Sequence, residues 1–248
     1  MLEQPEIPHE PAEDDEQKIR LFQINLNKSD RAHLDIVNEE VSDNFDIMLI
    51  QEPAATTFNA IRTPTNFRPV FPANRIGNED KVRSVIWVNK KLDTKNWIEL
   101  AIPDTNDITA IQLKGPYGTL SIFNIYNDCT HSENEEILQG YIQNNSNRLL
   151  ATENHHMIWA GDFNRHHPLW DRDEDTHLFT NQANERAEEL VGLLANYDMA
   201  MALPKGIPTL QHMGNRAIFK TGQHIQHTRA CRTHHQMRSC PSLSPPFY

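Results

Sequence analysis

Residues 158–170 read I-W-A-G-D-F-N-R-H-H-P-L-W, the stretch around which the predicted fold of the chain is organised. The apolar run 157–160 predicts a buried strand, after which Asp162 and Asn164 follow. Residues two apart in extended chain point to the same side, so both polar side chains would be presented together while Phe163 turns into the core. A carboxylate beside an amide can hold an attacking water or a metal ion near a phosphate. The alternative is a strand that leaves the core through a polar turn.

Three strands predicted further upstream also end in polar side chains. They cover residues 19–24, 46–51 and 119–126, and each is a short run rich in apolar residues. A carboxylate at the mouth of a buried strand is costly unless a cation or a donor meets it. Together with residues 157–160, four strand ends are therefore expected to converge on one rim. The polar residues at the three upstream ends are Asn25 and Asn27, Glu52, and Tyr126 with Asn127.

The order of the predicted elements favours an α/β fold with two sheets packed face to face and flanked by helices, an α/β sandwich. Helices are predicted over about 31–44, 133–151 and 182–196 from apolar periodicity and composition. Ser29 or Asp30 is a candidate cap for the first helix, with Leu34, Val37 and Val41 on its buried face. Further strands are predicted over 68–71, 84–88, 97–102, 108–113 and 199–203, with a hairpin turn at 114–118.

Composition limits the classes of function. The chain has 248 residues and a formal net charge of −11, which argues against a basic module that coats nucleic acid. A metal-dependent nuclease is compatible with this charge, because a divalent cation neutralises phosphate locally. The three cysteines have no C-x-x-C spacing, and neither a signal peptide nor a membrane-spanning run is apparent. We therefore expect an intracellular protein, nuclear or cytoplasmic, that is not secreted and does not enter a membrane.

Charge divides the chain into three predicted parts. Residues 1–17 are acidic and proline-rich and are expected to be disordered. Residues 18–213 form the predicted domain. Residues 214–248 contain no Asp or Glu, whereas the preceding part holds all 34 acids, and we expect a basic, His-rich, disordered tail. A shifted reading frame or a mis-spliced exon would explain the change in composition, and a nucleic-acid-binding tail or a His metal site are the alternatives.

Four motifs resemble the endonuclease/exonuclease/phosphatase superfamily, which includes DNase I-like and abasic-site endonucleases. They are Q-I-N-L-N-K-S at 23–29, L-I-Q-E-P at 49–53, F-N-I-Y-N at 123–127 and W-A-G-D-F-N-R-H-H-P-L-W at 159–170. The last motif is especially similar to the endonuclease domains of non-LTR (LINE-type) retrotransposons. The resemblance covers about residues 19–213 and implies a DNase I-like, four-layer α/β sandwich.

The resemblance also implies roles for individual residues. Glu52 would be the metal-binding carboxylate, with Asn25 and Asn27 orienting the metal or its waters, and the ion would be Mg²⁺, with Mn²⁺ as the alternative. Asp162 would position and deprotonate the attacking water. Asn164 would help Asp162 in this role, and Tyr126 would stabilise the negative charge that develops on the phosphate. Asn127, His166 and His167 would contact the DNA. Packing of both histidines within the loop is the alternative.

The chain departs from the family pattern after residue 213. The resemblance implies a later Asp-Asn pair and a terminal Ser-Asp-His, and neither occurs here. We therefore expect impaired activity, an exposed sheet edge where late strands are missing, and an incomplete C-terminus. The main hypothesis is a retrotransposon-type DNA endonuclease domain, to which a reverse-transcriptase domain would belong in the intact element. The alternatives are an inactive remnant of that domain and a phosphatase or sphingomyelinase relative, and the oligomeric state is left open.

Overall fold

The computed structural model describes residues 19–38, 44–77, 79–116, 118–129, 131–150, 154–206, 210–211, 218–219 and 222–227. The predicted disordered segment 1–17 lies outside the described residues. So does most of the predicted tail. Among the helices described, none is both long enough and apolar enough to cross a membrane.

The first sheet has four strands in the order β1-β2-β4-β3. Strand β1 runs parallel to β2, while β4 runs antiparallel to both β2 and β3. Residues 47–50 are completely buried, which explains why this strand reads as a continuous apolar run rather than an alternating one. The strands are β1 (Leu21–Asn25), β2 (Ile47–Gln51), β3 (Phe67–Val70) and β4 (Ser84–Asn89).

Helix α1 (Asp30–Asn38) forms the crossover between β1 and β2. Ser29 caps it, since the Ser29 hydroxyl accepts a hydrogen bond of 3.2 Å from the backbone N–H of Ala32. The predicted buried face is wrong: His33 and Ile36 are buried, whereas Leu34 and Val37 are only half-buried. His33 can be buried because its Nε2 pairs with a backbone carbonyl at 2.9 Å, and apolar periodicity does not register such a partner. Val41 lies outside the described residues.

The second sheet has six strands in the order β5-β6-β7-β8-β12-β9. Strands β6 and β7 form the predicted hairpin through the pair Gly115↔Gly118, and β7 runs parallel to β8. Two short strands outside this sheet, β10 (Leu210–Gln211) and β11 (Ile218–Phe219), pair with each other. The six strands are β5 (Trp97–Leu100), β6 (Ile108–Gly115), β7 (Gly118–Tyr126), β8 (His155–Asp162), β9 (Met199–Met201) and β12 (Gly222–His227).

Three further helices cover the second sheet: α2 (Glu133–Asn144), α3 (Ser146–Leu149) and α4 (Asn181–Asn196). The predicted helix over 133–151 is interrupted at Asn145, whose side-chain amide donates to the carbonyl of Tyr141 at 2.8 Å. In α4, the predicted apolar face is confirmed. Its buried residues are Ala187, Leu190, Leu193 and Leu194.

Three hydrophobic clusters separate four layers, which confirms the predicted α/β sandwich. One cluster lies between the sheets, where Leu49 and Ile86 of the first meet Ile122 of the second. A second cluster packs α1 on the outer face of the first sheet, and a third packs α2, α3 and α4 on the outer face of the second. The alternation of side chains along β2 and β7 feeds a different cluster on each face.

Residues 222–227 differ from the prediction for the C-terminal segment. They form β12, which pairs antiparallel with β8 from Gly222↔Asp162 to His227↔Met157 and also pairs with β9. Strand β12 therefore covers one edge of β8, and this part of the predicted disordered tail is a strand. A β-ladder is made by backbone N–H and C=O groups, so a segment without acids or clear apolar periodicity can still complete a sheet.

Candidate active site

The ends of two pairs of parallel strands define the candidate site. Strands β1 and β2 end side by side in the first sheet, and β7 and β8 do so in the second, with Tyr126 directly opposite Asp162. A hydrogen bond joins the two sheets at this rim, because the side-chain amide of Asn25 donates to Oδ2 of Asp162 at 2.7 Å. The convergence predicted from the strand ends is thus present for Asn25, Tyr126 and Asp162.

Asp162 is buried at the end of β8, with 4% of its surface exposed. Gly161 makes this position possible: its φ is +146°, and a Cβ there would lie 1.8 Å from the carbonyl oxygen of Ile125. Burial raises the pKa of the Asp162 carboxyl to about 6, and the nearby Glu52 carboxylate adds to the shift. Hydrogen bonds from Asn25 and from the backbone N–H of Asn164 oppose it. Such a carboxyl can accept a proton near neutral pH.

Asn164 does not stand beside Asp162 in extended chain as predicted. The strand ends at Asp162, and Asn164 has a left-handed φ of 47°. Its backbone N–H donates to Oδ1 of Asp162 at 3.1 Å, while its side-chain amide donates to the carbonyl of Asn127 at 2.6 Å. Asn164 therefore orients the Asp162 carboxylate and joins the loops that follow β7 and β8.

Glu52 follows β2 in a left-handed conformation, with φ 46°. Its backbone N–H donates to the carbonyl of Arg83 at 2.8 Å, and its own carbonyl accepts from Lys28 at 2.9 Å. The Glu52 carboxylate raises the pKa of both the Tyr126 hydroxyl and the Asp162 carboxyl, so it lies within electrostatic reach of these two groups. The first sheet therefore contributes a second acid to the rim.

Tyr126 is 9% exposed at the end of β7. Desolvation, followed by the Glu52 carboxylate, raises the pKa of its hydroxyl, while Arg83 opposes the shift. The Arg83 guanidinium lies 4.8 Å from the ring centroid and is held by Asp107 through an Nε–Oδ1 contact of 2.7 Å. Tyr126 stays protonated across the neutral range and can donate a hydrogen bond to an anion. The motifs alone did not single out Arg83, although it is the basic residue directly before the apolar run of β4.

Asn25 and Asn27 lie together in the turn that follows β1. Oδ1 of Asn25 accepts the backbone N–H of Asn27 at 2.7 Å, and Asn27 is exposed with φ 47°. With Glu52, they provide hard oxygen donors. Within the part of the chain that the structure describes, no group of three or more His, Cys, Asp or Glu side chains could hold a metal ion. This donor set fits Mg²⁺, which uses one or two protein carboxylates and keeps several waters, better than it fits zinc.

The three predicted DNA contacts occupy different environments. Asn127 is buried, and its side-chain amide donates to Glu135 at 2.9 Å, so it does not face the open rim. The His167 ring lies against Trp170 and pairs with Glu188 through a 3.1 Å contact, which matches the loop-packing alternative. His166 is exposed. The Asp162 carboxylate raises the pKa of the His166 imidazole, and His166 in turn lowers the pKa of Asp162.

Comparisons with known proteins agree with this geometry. A family model described as endonuclease-reverse transcriptase matches residues 120–236. The endonuclease domain of TRAS1, a telomere-specific non-LTR retrotransposon, superposes with a TM-score of 0.62 at 18% identity, covering 84% of this chain and 84% of that chain. The AP endonuclease LMAP from Leishmania major gives a TM-score of 0.60 at 10% identity, covering 85% of this chain and 79% of that chain. The chain as a whole therefore has the DNase I-like fold of these endonucleases, and residues 120–236 are similar to the endonuclease-reverse transcriptase family.

A third solved structure, an AP endonuclease from Archaeoglobus fulgidus, gives a TM-score of 0.54 at 12% identity, covering 85% of this chain and 87% of that chain. No protein of curated function matches the sequence. The family match continues to residue 236, beyond residue 213, where the resemblance was predicted to end. The fold described above includes β12, which lies in this segment of unusual composition.

A buried ion pair supports the rim and was not predicted from the sequence. Arg165 and Glu135 lie 2.8 Å apart, with side chains only 1% and 7% exposed. The Arg165 guanidinium also donates to the carbonyls of Asp128 at 2.9 Å and His131 at 2.8 Å. These contacts join the loop after β7, the start of α2 and the loop after β8. The spacing between Arg165 and Glu135 follows no local pattern, so only the folded chain reveals the pair.

Proposed function

We propose that this chain is a Mg²⁺-dependent phosphodiesterase that nicks DNA, the endonuclease domain of a retrotransposon-type element. The observation that carries the proposal is the Asn25–Asp162 hydrogen bond, which brings the end of the first sheet onto the end of the second. Around it lie the acid Glu52, the protonated Tyr126 and the amide of Asn164. The likeness in fold to the TRAS1 endonuclease domain supports DNA as the substrate.

Each side chain has a proposed role in hydrolysis. Asp162 orients the attacking water and accepts its proton, and Asn25 and Asn164 hold its carboxylate in place. Tyr126 donates its hydroxyl hydrogen bond to the phosphate oxygen on which negative charge develops. Glu52, assisted by Asn25 and Asn27, would hold Mg²⁺, or Mn²⁺ as the alternative. The ion would neutralise phosphate charge and favour attack on phosphorus.

We propose further that turnover is lower than in a domain of this type that carries the later Asp-Asn and Ser-Asp-His motifs. Residues 214–248 contain no Asp or Glu, so this segment cannot supply a carboxylate to the site. The same observation favours a second candidate, a remnant that binds DNA without cutting it. A reverse-transcriptase domain in the intact element also remains a proposal, supported by the description of the matching family model.

Conversion of supercoiled plasmid to the open circular form tests the proposal. We expect slow nicking with Mg²⁺ and none when the ion is removed with EDTA, because phosphate charge would then go unneutralised. Parallel assays with p-nitrophenyl phosphate and sphingomyelin test the alternative that the chain is a phosphatase or sphingomyelinase relative. Hydrolysis of either compound without DNA nicking would favour a phosphatase or sphingomyelinase relative. DNA binding with no cleavage would favour the inactive remnant.

The titration of Asp162 provides a second test. In the metal-free chain, we expect its carboxyl to titrate with a midpoint of about 6, measured by carbon NMR, because burial disfavours the charged form. Replacing Asn25 with alanine should raise this pKa further, since the donor to the carboxylate is lost. Added Mg²⁺ should lower it, because a nearby cation favours the carboxylate. A midpoint near the ordinary value of 3.8 in the metal-free chain would contradict the buried position.

The same shift predicts the acid limb of the rate profile. A base with a raised pKa is ionised only above that pKa, so nicking should slow as the pH falls through the Asp162 midpoint. The limb should move to lower pH as the Mg²⁺ concentration increases. A rate that is constant across this range would show that Asp162 is not the base.

A further inference from the structure

His166 lies close to the candidate active site, and a contact with DNA alone does not explain why its ring is held by neighbouring side chains. It lies four residues after Asp162 in a loop whose other histidine, His167, packs against protein. The side chain of His166 remains 47% exposed, and its ring stacks on Phe179 with centroids 5.7 Å apart. The ring is thus held on one face and open to solvent at its edge.

The buried carboxylate of Asp171 lies next to the His166 ring. Nδ1 of His166 lies 3.5 Å from Oδ2 of Asp171, whose side chain is 7% exposed. The same carboxylate oxygen accepts the backbone N–H of His167 at 2.8 Å, and the backbone N–H of Asp171 donates to the carbonyl of His167 at 3.0 Å. These bonds fix Asp171 in the loop. With Nδ1 turned towards this carboxylate, Nε2 on the opposite side of the ring is the atom left for a ligand.

The charges around His166 favour its protonated form. Asp171 raises the pKa of the His166 imidazole, burial opposes this shift, and Asp162 and Asp175 add to it. In return, His166 lowers the pKa of Asp162. An imidazole whose protonated form is favoured and a carboxylate base thus lie within electrostatic reach of each other. Hydrolysis of a phosphodiester uses this combination, because one proton leaves the water and another must reach the leaving oxygen.

We propose that His166 is the general acid of the reaction, donating its Nε2 proton to the leaving oxygen, and that Asp171 is the positioning residue that orients it. This inference rests on the proposed phosphodiesterase function. The water oxygen forms a bond to phosphorus, and its proton passes to Asp162. The bond from phosphorus to the leaving oxygen breaks, and that oxygen keeps the electron pair and takes the proton from His166. The products are a phosphate monoester and an alcohol, and solvent returns both side chains to their starting states.

The alkaline limb of the pH–rate profile tests the inference. We expect His166→Gln to lower kcat for plasmid nicking on the order of 100-fold with little change in KM. Wild-type nicking should decline as His166 loses its proton, and this limb should be absent in His166→Gln. Asp171→Asn should move the limb to lower pH, because the carboxylate that favours the imidazolium is gone. A purely structural role for either residue would leave the position of the limb unchanged.

Two other histidines provide controls. His156→Gln makes the same replacement near the start of β8, at the end of the strand away from Asp162, and should leave kcat and the limb unchanged. His131 pairs with Asp128 at 2.7 Å after β7 and is the competing acid. Loss of the alkaline limb in His131→Gln, with the limb kept in His166→Gln, would overturn the assignment to His166.

A binding measurement separates this inference from the proposed function. The titration midpoint of His166 can be followed by NMR with and without a short DNA duplex, in Ca²⁺ to limit cleavage. We expect the midpoint to rise when the duplex binds, because a phosphate beside Nε2 favours the imidazolium. If the wild-type chain fails to nick DNA, the proposed function fails, whereas a raised midpoint would still support the contact with phosphate. An unchanged midpoint would overturn the inference whatever the nicking assay shows.

Discussion

Replacing Asp162 with asparagine should lower the rate of Mg²⁺-dependent plasmid nicking by a factor on the order of 10³. Asparagine keeps the shape of the side chain and can still accept a hydrogen bond from Asn25. It cannot accept a proton from water. Single-turnover nicking rates for the two chains, at a pH above the Asp162 midpoint and at saturating Mg²⁺, measure this loss directly.

Asp162→Asn should not unfold the protein. The pKa of Asp162 is raised from 3.8 to about 6, so its ionisation destabilises the folded state. The stability associated with its neutral form is complete below the unfolded value and is lost as the pH rises through the folded value. At neutral pH without metal, removal of this buried charge should offset the hydrogen bond that the amide cannot accept from the backbone N–H of Asn164, so the variant should unfold close to the wild-type temperature. This result would separate loss of the base from loss of the fold.

The matched control for this variant is Asp198→Asn. Asp198 is exposed in the turn between α4 and β9, and its left-handed φ of 51° suits asparagine equally well. The adjacent Met199 pairs with His227, which pairs in turn with Met157 near the start of β8, so the turn lies at the end of the sheet opposite Asp162. We expect wild-type nicking from this control. Comparable nicking by Asp162→Asn and Asp198→Asn would refute the role of Asp162 as the base.

Replacing Arg165 with methionine should cause a large loss of stability, about 3–5 kcal/mol of unfolding free energy. The substitution leaves Glu135 buried without its cationic partner, and burial already raises the pKa of the Glu135 carboxyl. It also removes donors from the carbonyls of Asp128 and His131. Urea unfolding followed by tryptophan fluorescence at neutral pH measures the change.

A double-mutant cycle isolates the interaction between the two side chains. Combining Arg165→Met with Glu135→Gln should recover part of the loss, because the unpaired buried charge is no longer present. The comparison variant is Arg172→Met, whose partner Asp175 lies 2.8 Å away in an exposed pair. Its unfolding midpoint should stay at the wild-type value. An Arg165→Met midpoint equal to that of Arg172→Met would show that the buried pair does not stabilise the loops at the rim.

The sequence predicted the strands and their polar ends because both are local properties. Buried strands need short apolar runs, and parallel neighbours bring their carboxyl ends to one edge of a sheet. The rim with Asn25, Glu52, Tyr126 and Asp162 could therefore be anticipated before any coordinates. The resemblance carried by the four motifs implied the same four-layer α/β sandwich. The same local reasoning failed for 222–227, because pairing of β12 depends on backbone groups and on an available edge at β8.

The orientation of side chains at the rim could not be read from the motifs. Asn127 directly follows β7, but its side chain turns inward and donates to Glu135. His167 belongs to the motif at 159–170, but its side chain pairs with Glu188. Both orientations are set by the packing of loops against α2 and α4. The sequence offered no spacing signal for either partner. Such choices depend on which donor or acceptor the folded loops bring within reach.

By itself, the sequence determined which residue types stand at the ends of the strands, because apolar runs and their polar termini are encoded within a few consecutive positions. Only the tertiary structure decided which of them meet. Asn25 and Asp162 are 137 residues apart in the chain, and packing of one sheet on the other brings them to 2.7 Å. Burial by the same packing gives Asp162 its raised pKa, since desolvation is a property of the assembled layers.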